Sequence, residues 1–217
     1  VSGGASGIGA GIAKLFVDSG CCVIIADIDE TAGSDLASHL GDLAQYSYLD
    51  VKEESSWATL FDKAKQKWGD IDILINNAGG SPLNDALKAS NKFHEAIIDL
   101  NLSAPLNVSQ RFAKIMIKQK TVSNIINISS VTATRPTPGS AAYGAAKGGL
   151  VNLTKTLAVE WAPRIKVNSI IVGYIETENS ILHYGSKKEI NKVAKTIPMK
   201  RMGKPEDIAK ALSLIHI

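Results

Sequence analysis

The chain has 217 residues, of which 45% are apolar and 21% are charged, and its formal net charge at pH 7 is +3. This length suits one well-buried domain, and the composition argues against a disordered chain or a nucleic-acid-binding tail. No apolar run is long enough to span a membrane and no signal-peptide pattern is present, so we expect a cytoplasmic protein without nucleic-acid or membrane partners.

The two cysteines, Cys21 and Cys22, are adjacent in an apolar, strand-like run. Such a pair offers neither a disulfide framework nor a metal site. We interpret both as small core residues in a reducing compartment. No cluster of His, Cys and Asp has the spacing of metal ligands, and we expect no metal.

The spacing of apolar residues alternates along the chain between that of strands and that of helices. Only Val1 precedes a glycine-rich turn at 2–9, where a nucleotide-binding βαβ unit has a buried strand, so we expect a sequence truncated at this end. Helices are predicted at about 8–20, 30–40, 57–68, 91–118 and 143–161, and strands at about 21–26, 46–49, 71–75, 124–128 and 165–172. The helix at 91–118 is expected to be bent or interrupted near residues 101–105. This alternation predicts an α/β fold, a Rossmann-type doubly wound parallel sheet, as a single domain over residues 1–217.

The turn at 2–9 contains Gly3, Gly7 and Gly9. Glycine permits a positive φ and lets the backbone approach a pyrophosphate, and the helix that follows offers unpaired N–H groups to phosphates. By itself the turn is not diagnostic, because any tight connection from a strand to a helix can use glycine.

Asp27 ends the strand predicted at 21–26. A carboxylate there can accept both hydroxyls of an adenosine ribose and repels a 2′-phosphate. No basic residue occurs at 2–9 or directly after Asp27. Asp27 could instead merely open a turn with Asp29, but we favour the cofactor interpretation and predict NAD(H) over NADP(H).

Tyr143 and Lys147 lie four residues apart in the helix predicted at 143–161 and therefore share one face. A phenol has an unperturbed pKa of about 10, and a nearby ammonium group favours the phenolate and lowers that pKa. Such a pair occurs by chance in many helices. It gains weight here because a strand-like run precedes it and ends in Ser129 and Ser130, the latter 13 residues before Tyr143.

Together these motifs resemble the classical short-chain dehydrogenase/reductase family. The resemblance covers residues 1 to about 212, and several motifs in the family's order and spacing make it specific. The matching residues are Ser2-Gly3-Gly4-Ala5-Ser6-Gly7-Ile8-Gly9, Asn76-Asn77-Ala78-Gly79, Asn101, Ser130, Tyr143 and Lys147.

The resemblance implies four catalytic residues. Tyr143 would be the general acid and base, and Lys147 would lower its pKa and hold the nicotinamide ribose. Ser130 would orient the substrate oxygen, with Ser129 ranked below it. Asn101 would bind a water in a proton relay, although it could also be a polar residue at a helix bend whose side chain is satisfied.

The same resemblance implies a cofactor site built from the ends of several strands. Asp50 and Val51 would hold the adenine, 77–79 would line the cofactor, and Thr177 would lie near the nicotinamide carboxamide. The full predicted set is Ser2, Gly3, Ser6, Gly7, Ile8, Gly9, Asp27, Asp50, Val51, Asn77, Ala78, Gly79, Tyr143, Lys147, Gly173, Ile175 and Thr177.

We therefore expect an NAD-dependent oxidoreductase that acts on a secondary alcohol or ketone, with residues 178–200 as a flap over the substrate. One alternative is an NADPH-dependent reductase of 3-oxoacyl thioesters, which a basic segment at 187–204 favours and Asp27 opposes. Another is a nicotinamide-binding sensor or scaffold without turnover, which the complete catalytic set opposes.

The resemblance also implies a homotetramer or homodimer that forms through the helix carrying the Tyr–Lys pair and the helix before it. An apolar stripe on this helix could serve such an interface or face the sheet; its members are Leu150, Leu153, Leu157 and Trp161. Three features depart from the family pattern: Ser2 stands where relatives often carry threonine, Val172 replaces the usual proline, and residues 213–217 do not continue the expected helix and final strand. We expect a truncated reading frame at this end as well, and assign no role to His216.

Overall fold

The structure, a computed structural model, describes residues 1–215 except for the side chains of residues 182, 183, 214 and 215. His216 lies outside the described residues. The strands are Val23–Asp27 (β1), Ala44–Tyr48 (β2), Ile73–Asn76 (β3), Ser123–Ser130 (β4) and Ile165–Val172 (β5). The α-helices are Gly7–Asp18 (α1), Glu30–Leu40 (α2), Glu54–Trp68 (α3), Asn91–Ile98 (α4), Ala104–Met116 (α5), Ala141–Glu160 (α6), Ser180–Tyr184 (α7), Lys187–Thr196 (α8) and Pro205–Ile215 (α9).

All pairings between the five strands are parallel, in a two-stranded sheet β1-β2 and a three-stranded sheet β3-β4-β5. Val1 and Ser2 join the two sheets. The Val1 nitrogen donates to the Ile24 carbonyl at 2.9 Å, and the Ser2 N–H donates to the Ile75 carbonyl at 3.0 Å. Next to Val1, residues of β1 and β3 line a largely apolar cavity of about 410 Å³.

Helices cover both faces of this sheet. On one face, α3, α5 and α6 bury a core that includes Trp57, Phe112 and Leu157. On the other face, α1, α2 and α9 bury a second core around Ile12 and Leu212. Two apolar layers that enclose a parallel sheet confirm the doubly wound α/β fold.

The apolar stripe on α6 faces the interior. Leu150 and Leu157 are buried, and Leu153 and Trp161 pack against the core beneath α6. Of the two interpretations that the sequence allows, the structure therefore selects contact with the sheet.

The cysteines correct one expectation. The strand begins at Val23, so Cys21 and Cys22 precede it, and Cys22 is exposed. The reason is the end of α1: Gly20 has a φ of +84°, and the N–H of Cys21 donates back to the carbonyl of Phe16 at 2.9 Å. The chain leaves that turn only at Val23. Both thiols are free.

A bend near residues 101–105 is confirmed. Between α4 and α5, residues Asp99–Ser103 form one π-helical turn. Pro105 stands at the start of α5. Proline lacks an N–H and therefore cannot continue the regular hydrogen-bond ladder, which accounts for the wider turn before it. The turn directs Asn101 into the interior, where its side chain is fully buried.

Small residues on α6 let this helix approach its neighbours closely. A Cβ on Gly149 would lie 3.0 Å from Leu102, and one on Gly144 would lie 3.2 Å from the carbonyl oxygen of Thr132. The glycines of α6 therefore allow this helix to come close to the π-helical turn and to the segment that follows β4.

A chain of buried side-chain hydrogen bonds ties β3, β4, α5 and α6 together. The amide of Asn76 donates to Ser109 at 2.9 Å and to Asn127 at 2.8 Å. Asn127 in turn donates to the hydroxyl of Thr154 at 2.9 Å. Every link is between buried groups, so each missing partner leaves a polar atom without water or protein to bind.

Replacement of Thr154 by valine tests this network. Thr154→Val keeps the side-chain size but leaves the Asn127 amide without its acceptor, and we expect a loss of about 1–3 kcal/mol in the free energy of unfolding. Urea denaturation followed by circular dichroism measures it. The matched control is Thr156→Val, which removes an exposed hydroxyl from the same helix. Equal effects of the two changes would contradict the importance of the buried network.

Candidate active site

Ser130, Tyr143 and Lys147 come together at the carboxyl end of β4. Ser130 is the last residue of β4, and Tyr143 and Lys147 lie in the first two turns of α6. Tyr143 shares a side-chain hydrogen bond with Ser130. The Lys147 ammonium lies 5.6 Å from the centre of the Tyr143 ring and donates to the Ile128 carbonyl at 2.8 Å.

Burial dominates the acid–base properties of this group. It lowers the pKa of Lys147 to about 8, because a charged ammonium loses its hydration. It raises the pKa of Tyr143, and the hydrogen bond with Ser130 acts in the opposite direction. The expected lowering of the Tyr143 pKa by Lys147 is not found, since desolvation of the phenolate is the larger effect.

Asn101 reaches the same point from the π-helical turn. Its Oδ1 accepts the N–H of Gly80 at 2.9 Å, and its Nδ2 donates to the carbonyls of Gly80 and Ile97 at 2.9 Å each. The side chain is thus satisfied at a helix bend. A Cβ on Gly79 would lie 2.6 Å from Asn101 Oδ1 and 3.2 Å from Lys147 Nζ, so both groups crowd the same glycine.

Ser2 and Asn77, two of the predicted cofactor residues, form hydrogen bonds that hold the backbone of the site in place. The hydroxyl of Ser2 accepts the N–H groups of Asn77 and Ala78 at 3.0 and 3.1 Å and donates to the Ile75 carbonyl. The Asn77 amide donates to the carbonyls of Ser2 and Gly3. These bonds fasten the glycine-rich turn to the segment after β3. In the same way, Ser129 donates to the carbonyl of Lys147 at 3.1 Å and fixes α6 to β4.

The glycine-rich turn presents an anion-binding helix end. A Cβ on Gly9 would overlap the carbonyl oxygen of Gly3, and Gly7 has a φ of +51°, so both positions require glycine. The Ser6 hydroxyl makes no capping bond to α1. The N–H groups of the first helical turn have no acceptor inside the helix. This donor set fits the pyrophosphate of a dinucleotide.

Asp27 lies beside that turn, at the end of β1. Its Oδ2 accepts the N–H of Ala5 at 3.0 Å and its Oδ1 accepts the N–H of Asp29 at 3.1 Å. Among the residues that the structure describes, no Lys or Arg forms a salt bridge with Asp27. The carboxylate is therefore held in place by backbone groups, with lone pairs left for ribose hydroxyls.

The remaining predicted cofactor residues lie along the same edge of the sheet. Asp50 follows β2 and accepts the N–H of Lys52, whereas the side chain of Val51 is buried in the core beneath α3. Ile175 pairs with Gly203 just after Gly173, which is exposed. The methyl group of Thr177 lies 3.3 Å from the Cβ position of Gly7, so the chain after β5 returns to the glycine-rich turn.

The structure adds Tyr174 and Arg135, which the sequence does not single out, beside Tyr184 of the predicted flap. Tyr184 in α7 packs edge-on against Tyr174, with ring centres 6.4 Å apart. Burial raises the pKa of Tyr184, and the proximity of Tyr174 and Tyr143 adds to that rise. Arg135 stacks on the Tyr174 ring at 5.5 Å, and both line a cavity of about 640 Å³ beside residues 196–199. Segments 131–140 and 174–200 therefore meet at this cavity.

Among the residues that the structure describes, no helix has both the length and the apolar character needed to cross a bilayer. Within residues 1–215, no three or more His, Cys, Asp and Glu side chains are grouped so that they could hold a metal ion.

Comparison with known proteins identifies the family. A family profile described as enoyl-(acyl carrier protein) reductase matches residues 3–215. The 3-oxoacyl-(acyl-carrier-protein) reductase FabG of Chlamydia muridarum is 35% identical over 216 residues, which cover 97% of this chain and 86% of that protein. Oxidoreductase UcpA of Escherichia coli is 34% identical over 226 residues, with 99% of this chain and 85% of that protein covered.

A solved structure agrees. The 3-ketoacyl-(acyl-carrier-protein) reductase of Brucella melitensis, crystallised in complex with NADH, has a TM-score of 0.89 and 30% identity, with 100% of this chain and 88% of that chain covered. The chain belongs to the short-chain dehydrogenase/reductase family, and it is an oxidoreductase with the Rossmann-type fold of that family.

The buried lysine predicts a characteristic dependence of stability on pH. Between pH 8 and 10.5 the unfolded chain binds more protons at Lys147 than the folded chain does, so stability from this group rises with pH. Lys147→Met removes that contribution. We expect the variant to have its greatest advantage in unfolding free energy at pH 7, and this advantage to shrink by about 3 kcal/mol toward pH 10.5.

Urea denaturation at pH 7, 8.5 and 10 measures the difference between the two proteins. The variant also loses the hydrogen bond from Lys147 to Ile128. That loss changes the unfolding free energy by the same amount at each pH and does not affect its trend with pH. The control is Lys155→Met, an exposed lysine on the same helix. A difference between wild type and Lys147→Met that stays constant with pH would contradict a lowered pKa for Lys147.

Proposed function

We propose that the protein transfers a hydride between NAD(H) and a secondary alcohol or ketone, with Tyr143 as general acid and base. One observation carries this proposal. The hydrogen-bonded pair of Ser130 and Tyr143 lies beside the buried ammonium of Lys147, at the same edge of the sheet as the glycine-rich turn. Nicotinamide supplies the hydride chemistry, and the protein supplies orientation and proton transfer.

In this proposal Ser130, Tyr143 and Lys147 have distinct roles in binding the substrate and in proton transfer. The Ser130 hydroxyl binds the substrate oxygen and holds it within reach of the Tyr143 phenol. Tyr143 donates a proton to that oxygen during reduction and removes it during oxidation. Because burial raises its pKa, Tyr143 is a neutral phenol at pH 7 and is ready to act as the acid. The Lys147 ammonium stabilises the phenolate left after proton donation.

Asn101 has a positioning role in the proposal. It holds Gly80 with two hydrogen bonds and thereby fixes the turn that lies against Lys147. The proposal includes a water relay between Asn101 and Lys147, because both side chains approach Gly79.

The preference for NAD(H) is proposed from the surroundings of Asp27. A 2′-phosphate placed at the end of β1 would meet the Asp27 carboxylate, with no cation paired to it among the described residues. Repulsion between the carboxylate and the 2′-phosphate disfavours NADP(H). A relative crystallised with NADH at 30% identity supports this choice.

A second candidate is the NADPH-dependent reduction of 3-oxoacyl thioesters. Two observations favour it: the names of the relatives from Chlamydia muridarum and Brucella melitensis, and the basic segment 187–204 beside the cavity that Arg135 lines. Such thioesters are ketones, so the same catalytic group serves both candidates. They differ in substrate and in cofactor, and Asp27 favours the first.

Three further expectations remain part of the proposal. Residues 178–200 form the flap over the substrate, because Tyr184 lies close to Tyr143. A homotetramer or homodimer uses the outer faces of α5 and α6, where Leu106 and Val159 are 37% and 81% exposed. A reducing, cytoplasmic location accords with two free cysteines.

Tyr143→Phe tests the catalytic assignment. Loss of the phenolic proton should lower kcat/KM by about 10²–10⁴, the usual contribution of a positioned acid or base, while the affinity for NADH stays unchanged. The assay follows NADH absorbance with a panel of secondary alcohols and ketones that includes a 3-oxoacyl thioester. Ser130→Ala should lower the same parameter. Turnover that survives in Tyr143→Phe contradicts the assignment, and NADH binding without any turnover in the wild type favours a sensor.

Asp27→Asn tests the cofactor preference. Removal of the negative charge should raise the ratio of kcat/KM for NADP⁺ to that for NAD⁺ by at least about tenfold, which corresponds to 1.4 kcal/mol. Asp29→Asn is the matched control. Asp29 lies two residues after Asp27 and caps α2, so this change removes the same charge from a neighbouring position. A wild-type protein that already prefers NADP⁺ contradicts the role of Asp27 and favours the thioester reductase.

A further inference from the structure

The carboxylate of Glu178 reaches the beginning of α1. Its Oε1 accepts the N–H of Gly7 at 2.6 Å, across a separation of 171 residues in sequence. A distance this short is typical of a hydrogen bond to a charged acceptor. Gly7 opens the helix end that fits a pyrophosphate, so a protein carboxylate lies where the proposed function places the cofactor phosphates.

Neighbouring contacts bring Glu178 to this position. Thr177 lies against Gly7, and its N–H donates to the hydroxyl of Ser180 at 2.8 Å. Ser180 is buried and begins α7. The segment that enters the flap is therefore packed on the glycine-rich turn, and Glu178 is the residue whose charge meets the helix dipole.

Two anions cannot share the N–H of Gly7. Glu178 is exposed and forms no salt bridge within the part of the chain that the structure describes, so no cation neutralises it there. A phosphate at the same helix end would lose this donor to the carboxylate and would also be repelled by it. The carboxylate must leave before the phosphate gains the full set of donors.

We propose that Glu178 is a displaceable competitor of the cofactor phosphates and thereby sets the affinity of the cofactor site. Its carboxylate holds the N–H of Gly7 until a phosphate replaces it. This inference rests on the proposed function, because it needs a dinucleotide at the glycine-rich turn. By linkage, any group that draws Glu178 away from Gly7 raises cofactor affinity, and a bound cofactor frees the start of the flap by the same factor.

The test compares wild type, Glu178→Gln and Glu176→Gln by titration with NADH, followed by fluorescence. Charge at a helix end contributes modestly, so Glu178→Gln should bind NADH about three- to tenfold more tightly than wild type. Glu176→Gln should bind as wild type does. It removes the same charge from the same segment, and its backbone bond to Gly203 is unaffected.

Two further measurements separate competition from a general structural effect. The gain in affinity should appear with ADP and not with adenosine, because only the phosphates meet Glu178. The unfolding temperature without ligand should fall in Glu178→Gln while NADH affinity rises. If Glu178 had only a structural role, its substitution would lower both the unfolding temperature and the NADH affinity.

Each outcome decides between the two proposals. Equal NADH affinity in wild type and Glu178→Gln overturns the role of Glu178 and leaves the proposed function standing. The role of Glu178 is also overturned if Glu176→Gln increases NADH affinity as much as Glu178→Gln does. It is likewise overturned if Glu178→Gln increases the affinity for adenosine as much as that for ADP. Failure of NADH to bind any of the three proteins overturns the proposed function together with this inference.

Discussion

The site depends on one buried ammonium group. Lys147 loses most of its hydration inside the protein, and its bond to the Ile128 carbonyl compensates only in part, which is why its pKa falls to about 8. An isolated buried charge is destabilising. The fold tolerates it because α6 carries the side chain to the end of β4, where it lies near the Tyr143 ring. Stability and the proposed chemistry therefore oppose one another at this residue.

The position of that ammonium is set by bonds farther along α6 and β4. Ser129 binds the backbone of Lys147, and Asn127 binds Thr154 two turns beyond it. Both bonds run from β4 to α6, so the helix cannot slide or rotate without breaking a buried polar contact. The relative placement of Ser130 and Tyr143 follows from these two attachments. Polar groups of the core are in this way part of the geometry of the site.

Local pattern in the sequence predicts much of this arrangement. The strand at 165–172 and the bend near Asn101 are found as expected, because periodicity and a proline depend only on near neighbours. The direction of the Tyr143 pKa was wrong, since desolvation depends on burial by residues distant in sequence. The contact of Glu178 with Gly7 could not be predicted at all, because no pattern links residues so far apart. Asn101 lies between these cases: its location was predicted, and its hydrogen-bond partners were not.

Two carboxylates near the glycine-rich turn illustrate why attachment matters as much as charge. Asp27 is held by two backbone N–H groups, one from the turn itself and one from Asp29, so it keeps its place whatever binds beside it. Glu178 is held at the turn by the N–H of Gly7, and it belongs to the segment that enters α7. A fixed charge can discriminate between ligands, because a ligand that clashes with it cannot push it aside. A charge with a single displaceable contact can only lower affinity by the free energy of that contact. The same chemical group therefore suits selection of the cofactor at one end of the turn and adjustment of its affinity at the other.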